Sequence, residues 1–154
     1  MIPFISSLIR QFERFPYALL ALLGRFAMAR TFFDSGQTKL AGDVKCLAAH
    51  LCAKLNPFDL APSAVPLFAE EYHMPFPWFS AHAATLAEFI LSILLLVGFA
   101  SRLSAFGLLL MTLVIEIFVY PQGYVLHATW AALLLMIVSM GPGAISLDHL
   151  IARR

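Results

Sequence analysis

The sequence predicts an all-α, membrane-embedded, up-down four-helix bundle, with an N-terminal interfacial helix and a long outer loop that carries a short helix of its own. Three observations carry this prediction. The 154-residue chain is 61% hydrophobic and only 12% charged, with a mean hydropathy of +0.85, which is more apolar surface than one soluble core of this size can hide. Four apolar stretches, 17–33, 83–100, 103–120 and 124–140, approach the roughly 20 residues that a helix needs to cross a bilayer. The breaks between the last three are so short that the helices they join must run antiparallel.

The elements follow in order. At 1–15, Ile5, Leu8, Ile9, Phe12 and Phe15 recur at helical spacing while Arg10, Glu13 and Arg14 lie off that stripe, the pattern of an interfacial helix on the inner surface. Pro16 ends it before the first span. A rival reading takes Arg10 and Arg14, the apolar run and Ala27-Met28-Ala29 as a signal peptide with its cleavage site; Arg25 just before that site and its candidate partners in later spans speak against cleavage. The connection 34–82 is too long for a turn and calls for structure of its own. Val44, Leu47, Ala48, Leu51 and Leu55 outline a short amphipathic helix there, Pro57, Pro62, Pro66, Pro75 and Pro77 break the remainder into extended or kinked pieces, and Phe76, Trp78 and Phe79 form an aromatic belt at the outer interface.

Phe99-Ala100-Ser101-Arg102 joins the second and third spans, and Pro121-Gln122-Gly123 the third and fourth. In the tail, 141–154, Gly141-Pro142-Gly143 stops the last span, Ser146 N-caps a short amphipathic helix, and Asp148 either complements that helix's dipole or pairs with Arg102. With both termini inside, the cytoplasmic side holds Arg10, Arg14, Arg102, Arg153 and Arg154. The outer loop balances Lys39, Lys45 and Lys54 against Asp34, Asp43, Asp59, Glu70 and Glu71. The chain reads as one domain, 1–154, without internal repeats. Its net charge of +1 and the absence of any Lys/Arg run exclude nucleic acid as a partner and give no polybasic lipid patch.

Arg25, Arg30, Glu88 and Glu116 stand inside the spans, where a charge costs roughly 2.5–3.5 kcal/mol even on a lenient insertion scale. At about 1.5 Å per residue, Arg30, Glu88, Glu116 and His127 fall at similar depth, roughly 5–7 Å below the outer surface, with Arg25 deeper at roughly 12 Å and in reach of Glu88. A working polar site built from all five residues therefore competes with a bland reading: Arg30 pairs with Asp34 one turn on, and Arg25 with Glu88 clamps two helices. The working site requires the arginines to lie near the glutamates. Glu116 and His127, flanking the turn at Pro121, suit proton relay to a bound quinone or ligation of a soft or borderline metal.

Cys46 and Cys52 have five residues between them, not the two of a redox Cys-x-x-Cys, so a thiol-disulfide active site is disfavoured. They can still form a disulfide if that stretch is not helical. Cys46, His50, Cys52, His73 and Met74 are a chemically sensible Cu(I) set, against which stands the failure of His50 and the two cysteines to share one helical stripe. Phosphate loops, the G-x-S-x-G elbow and HExxH are absent from the sequence.

From about Tyr17 onward a succession of motifs resembles the DoxX family. Arg25-Phe26 through Phe33-Asp34-Ser35-Gly36-Gln37-Thr38-Lys39-Leu40 is similar to its opening motif, an Arg in the helix followed by F-x-S-G-x-x-K. Leu67-Phe68 to Glu71-Tyr72, Pro75, Glu88, Gly98 with Ser101-Arg102, Phe118-Val119-Tyr120-Pro121, His127 with Trp130, and Gly141 through Asp148 follow in order and spacing. The resemblance implies a four-helix integral protein of bacterial cytoplasmic membranes, related to the small membrane subunit of thiosulfate:quinone oxidoreductase, in a family labelled oxidoreductase without a defined reaction. It also implies, through the tail, a likeness to membrane partners of systems that make copper-binding modified peptides. The expectations are thus a redox-associated subunit handling a quinone or its protons, an accessory for copper homeostasis or copper-peptide maturation and export, or a non-catalytic scaffold for a partner protein. Lipid contact is expected in each, with a homodimer as one assembly.

Overall fold

The computed structural model describes residues 15–41 and 59–153, and every regular element in them is helical apart from one isolated antiparallel bridge, Leu40 to Leu60. Helix α1 spans Tyr17–Gln37, α2 Pro77–Val97, α3 Ser101–Val114, α4 Tyr124–Met140 and α5 Leu147–Ala152. Two π-helical turns, Leu67–Glu71 after a short helical passage at Ala64–Pro66, and Ile115–Val119 at the end of α3, complete the list with a 3₁₀ turn at Pro121–Gly123. Helices α1 and α3 each pack on both α2 and α4, closing a ring. The expected helices at 1–15 and around 44–55 lie outside the described residues.

The helices run as they do for local reasons. Proline at the first position of α2 is pre-set for a helical start, and Ser80 Oγ donates to Pro75 O at 2.6 Å, so α2 begins six residues earlier than its apolar run. Trp78 and Phe79 stand exposed on its first turn beside Phe76. Pro66, expected to break the chain, instead sits in a short helix, where its missing N–H costs little so close to the start. Gly98, with φ +76°, stops α2. Asp34 to Gln37 continue α1 past its apolar stretch.

The ring has an apolar centre of Met28, Phe32, Leu95, Ala105, Leu108, Leu134 and Ile137. Between the helices it buries Thr85, Ser92, Ser104 and Thr112, whose hydroxyls donate to carbonyls three or four residues back. Small hydroxyl residues inside and large apolar residues outside are the arrangement lipid favours, since close backbone packing rather than water exclusion holds such helices together. Leu23, Phe26, Ile90, Leu103, Leu113 and Val125 are among the many apolar side chains left on the outer surface, far beyond what a monomer in water exposes. Three helices, Pro77–Val97, Ser101–Val119 and Pro121–Met140, are long and apolar enough to cross a membrane. Helix α1 is as long, at 21 residues, but carries Arg25, Arg30 and Asp34.

The tail stitches one end of the ring. Tyr17 donates to Gly141 O at 2.6 Å, and the buried Arg25 guanidinium to Pro142 O at 3.2 Å and Ile145 O at 2.7 Å. Ser146 accepts from the His149 N–H as the N-cap of α5. Asp148 neither pairs with Arg102 nor merely sits near a dipole. Its two carboxylate oxygens accept the Ala100 and Ser101 N–H groups at 2.7 and 2.8 Å, capping α3 from outside and fixing Ala100 in its left-handed conformation, φ +46°.

Candidate functional site

Glu88 lies midway along α2 with its side chain only 3% exposed. Its Oε2 accepts a hydrogen bond from the Lys39 ammonium at 2.7 Å and its Oε1 accepts from Ser35 Oγ at 3.3 Å. Lys39 also donates to Ser35 O and Ser35 Oγ, both at 3.1 Å, so all three of its donors are engaged. Gly36 makes this possible: a Cβ there would meet Phe89 at 3.1 Å and the Glu88 Cβ at 3.3 Å, and its absence lets the end of α1 close on α2. The unit is neutral overall and internally satisfied.

The unit forms one polar end of a cavity of about 460 Å³ bordered by α1 to α4 and the connection between α1 and α2, with Phe32, Phe68, Met111, Val114 and Trp130 among its apolar walls. Tyr72 and Tyr120 border it, their hydroxyls 3.4 Å apart and Tyr120 donating to Glu71 at 3.3 Å. Burial first, then the bond to Tyr120, raises the Tyr72 phenol well above its ordinary value. It stays a neutral hydroxyl.

His127 is a further polar group of the cavity. Its Nδ1 meets Glu116 Oε2 at 2.5 Å, and its ring lies 5.1 Å from that of Trp130. The Pro121–Gly123 turn rests on the imidazole: a Cβ at Gly123 would fall 2.6 Å from Cε1. Glu116 belongs to the π-helical turn Ile115–Val119; such a turn shifts the residues after it around the helix axis and often marks a functional site. Glu116 and His127 both line a second, apolar groove of about 570 Å³ between α3 and α4.

The two arginines do not join these groups. Arg25 is held by tail carbonyls and does not reach Glu88; ten residues separate it from Ser35, Glu88's neighbour, a rise of about 15 Å along α1. Arg30 bonds Asp34 at 2.6 Å with both side chains about two-fifths exposed, against a different groove between α1 and α2. The five-residue site therefore separates: Glu88 and His127 share a cavity, Glu116 attaches through His127, and the arginines serve elsewhere. Lys39 and Ser35 were missed as site residues. Their spacing of four at the end of a span, with the orphan carboxylate of Glu88 in the next one, was the available signal. Of the copper set, Cys46, His50 and Cys52 lie outside the described residues, His73 is exposed with φ +49°, and Met74 lines the cavity. Among the described residues no three His, Cys, Asp or Glu side chains gather as a metal site.

The family model DoxX matches residues 20–121, two thirds of the chain. The chain belongs to the DoxX family. The match takes in α1, α2 and α3 and stops at Pro121, so Ser35, Lys39, Glu88 and Glu116 fall within it while His127 and the tail lie beyond. This DoxX chain matches no curated protein and no solved structure. With its three apolar helices it is a multi-pass membrane protein, in contact with the lipid bilayer.

Proposed function

We propose that this DoxX protein is a redox-associated membrane subunit that binds a neutral ring compound of the quinone class in the cavity between α1 and α4. The observation that carries the reading is the cavity itself: aromatic and aliphatic walls around a Ser35–Lys39–Glu88 unit with no net charge and no spare ammonium donor. An inorganic anion finds no unpaired cation there among the described residues. A lipophilic ring with an oxygen at its edge finds apolar walls for its body and polar groups for its edge, the usual economy of a small-molecule pocket. The chain would bind and orient such a ring; the electron donor belongs to a protein partner.

The test is purification in mild detergent, organic extraction and quantification of quinone. Wild type is expected to retain quinone well above the lipid background and Glu88→Gln to lose most of it. Quinone at background level in both sinks the reading. As parts of the same reading, α1 is a fourth span, residues 141–154 lie in the cytoplasm with both termini, and the membrane is the bacterial cytoplasmic one. A copper accessory role through Cys46, His50, Cys52, His73 and Met74 is decided by elemental analysis of wild type and Cys46→Ser/Cys52→Ser. A scaffold or homodimer role is decided by the composition and mass of the detergent-purified complex.

A further inference from the structure

Glu88 lines the cavity and Glu116 stands behind it through His127, and the surroundings of the two carboxylates differ. Glu88 has both oxygens engaged, by Ser35 and Lys39, and is almost wholly buried. Taking up a proton there would break the pairing with the ammonium. Glu116 uses only Oε2, in its bond to His127 Nδ1, keeps about a quarter of its side chain exposed, and opens on the groove between α3 and α4 rather than on the cavity. His127 lines both spaces. With Nδ1 committed to Glu116, Nε2 is the ring's remaining polar atom, and no described residue bonds it.

We propose that His127 and Glu116 form a proton-accepting dyad for a hydroxyl of the cavity ligand, His127 receiving the proton and Glu116 passing it to the α3–α4 groove. This rests on the quinone-class reading of the cavity, whose reduced form carries such hydroxyls. His127 Nε2 first accepts a hydrogen bond from the hydroxyl. The O–H bond then breaks, the electron pair stays on the ligand oxygen and an Nε2–H bond forms. The Nδ1 proton moves to Glu116 Oε2, leaving a neutral imidazole and a neutral carboxylic acid. No electron moves in this step.

The geometry gives each part a reason. A carboxylate on Nδ1 fixes the tautomer that leaves Nε2 as an acceptor, the π-helical turn carries Glu116 on the side of α4, and Gly123 leaves the ring its place against the turn. The other titratable groups bordering the two spaces are Lys39, Tyr72, Glu88 and Tyr120 on the cavity and Tyr124 on the groove. Lys39 and Glu88 neutralise each other, and Tyr72 is held as a neutral phenol.

The full chain in lipid nanodiscs is titrated anaerobically with a short-chain hydroquinone and, separately, with its dimethyl ether, which keeps the ring and lacks the hydroxyl protons. Binding and infrared difference spectra are recorded together. Wild type should show a protonated-carboxyl band on binding hydroquinone and none with the ether. Glu116→Gln should bind the ether normally and lose the band. His127→Asn should also lose it and weaken hydroquinone binding about tenfold more than ether binding, the loss of one hydrogen bond. Binding of both compounds with no carboxyl band, or a band that persists in Glu116→Gln, overturns the dyad and leaves the cavity reading in place. Binding of neither compound by wild type overturns both.

Discussion

Asp148 shows how much one carboxylate can hold. Burial pushes its carboxyl up, but the bonds it accepts from Ser101 and Ala100, with the Arg25 charge behind them, outweigh that and keep it below its ordinary value of 3.8. The folded value is depressed, so its contribution is complete above the unfolded value and disappears as pH falls through the lower folded one. Asp148→Ala should therefore destabilise the protein by about 1–2 kcal/mol at neutral pH, as lost caps do. In unfolding titrations the gap to wild type should close below about pH 4; a gap that stays constant into acid would assign the effect to packing. Neighbouring Arg25 was legible as costly from sequence, its partners were not: backbone carbonyls of the tail carry no residue-specific mark, so pairing by charge pointed to Glu88 instead.

At the scale of elements, glycines and π-helical turns place the helices. Gly98 combines φ +76° with a crowded site, where a Cβ would stand 2.4 Å from the Arg25 guanidinium and 2.6 Å from the Ser146 Cβ. Gly98→Ala should cost about 2 kcal/mol or more from the backbone alone and loosen the tail with it. Limited proteolysis after Arg102 or within 141–153 should quicken together with a lower unfolding midpoint; a drop in stability with unchanged tail cleavage would separate the two. The glycine stop and proline start were readable because each acts through its own backbone. The turn at Ile115–Val119 was not, since a π-helical turn depends on how α3 meets α4, and apolar periodicity over five residues is nearly the same in either helix form.

For the whole molecule, the four-span topology proposed above puts Phe15 and the tail on one side of the membrane and the connection between α1 and α2 on the other. A cysteine introduced as Glu70→Cys, in a chain carrying Cys46→Ser and Cys52→Ser, should react in intact cells with a membrane-impermeant maleimide, and Arg153→Cys should react only after lysis. Phe15→Cys in the same background should behave like Arg153→Cys; a Phe15→Cys that labels in intact cells like Glu70→Cys would remove α1 from the set of spans. Composition alone decided that this chain lives in lipid, because so apolar a sequence has no soluble alternative, and turn chemistry decided that its last three spans run antiparallel. It also showed which residues were too costly to be accidental. Which of them meet was left to tertiary structure: partner choice depends on the rotation of each helix about its axis, and that is set by close packing at Gly36, Gly98 and Gly123. That packing gave Glu88 to Lys39, Glu116 to His127 and Arg25 to the tail, where depth along the helices had put Arg30, Glu88, Glu116 and His127 in one layer.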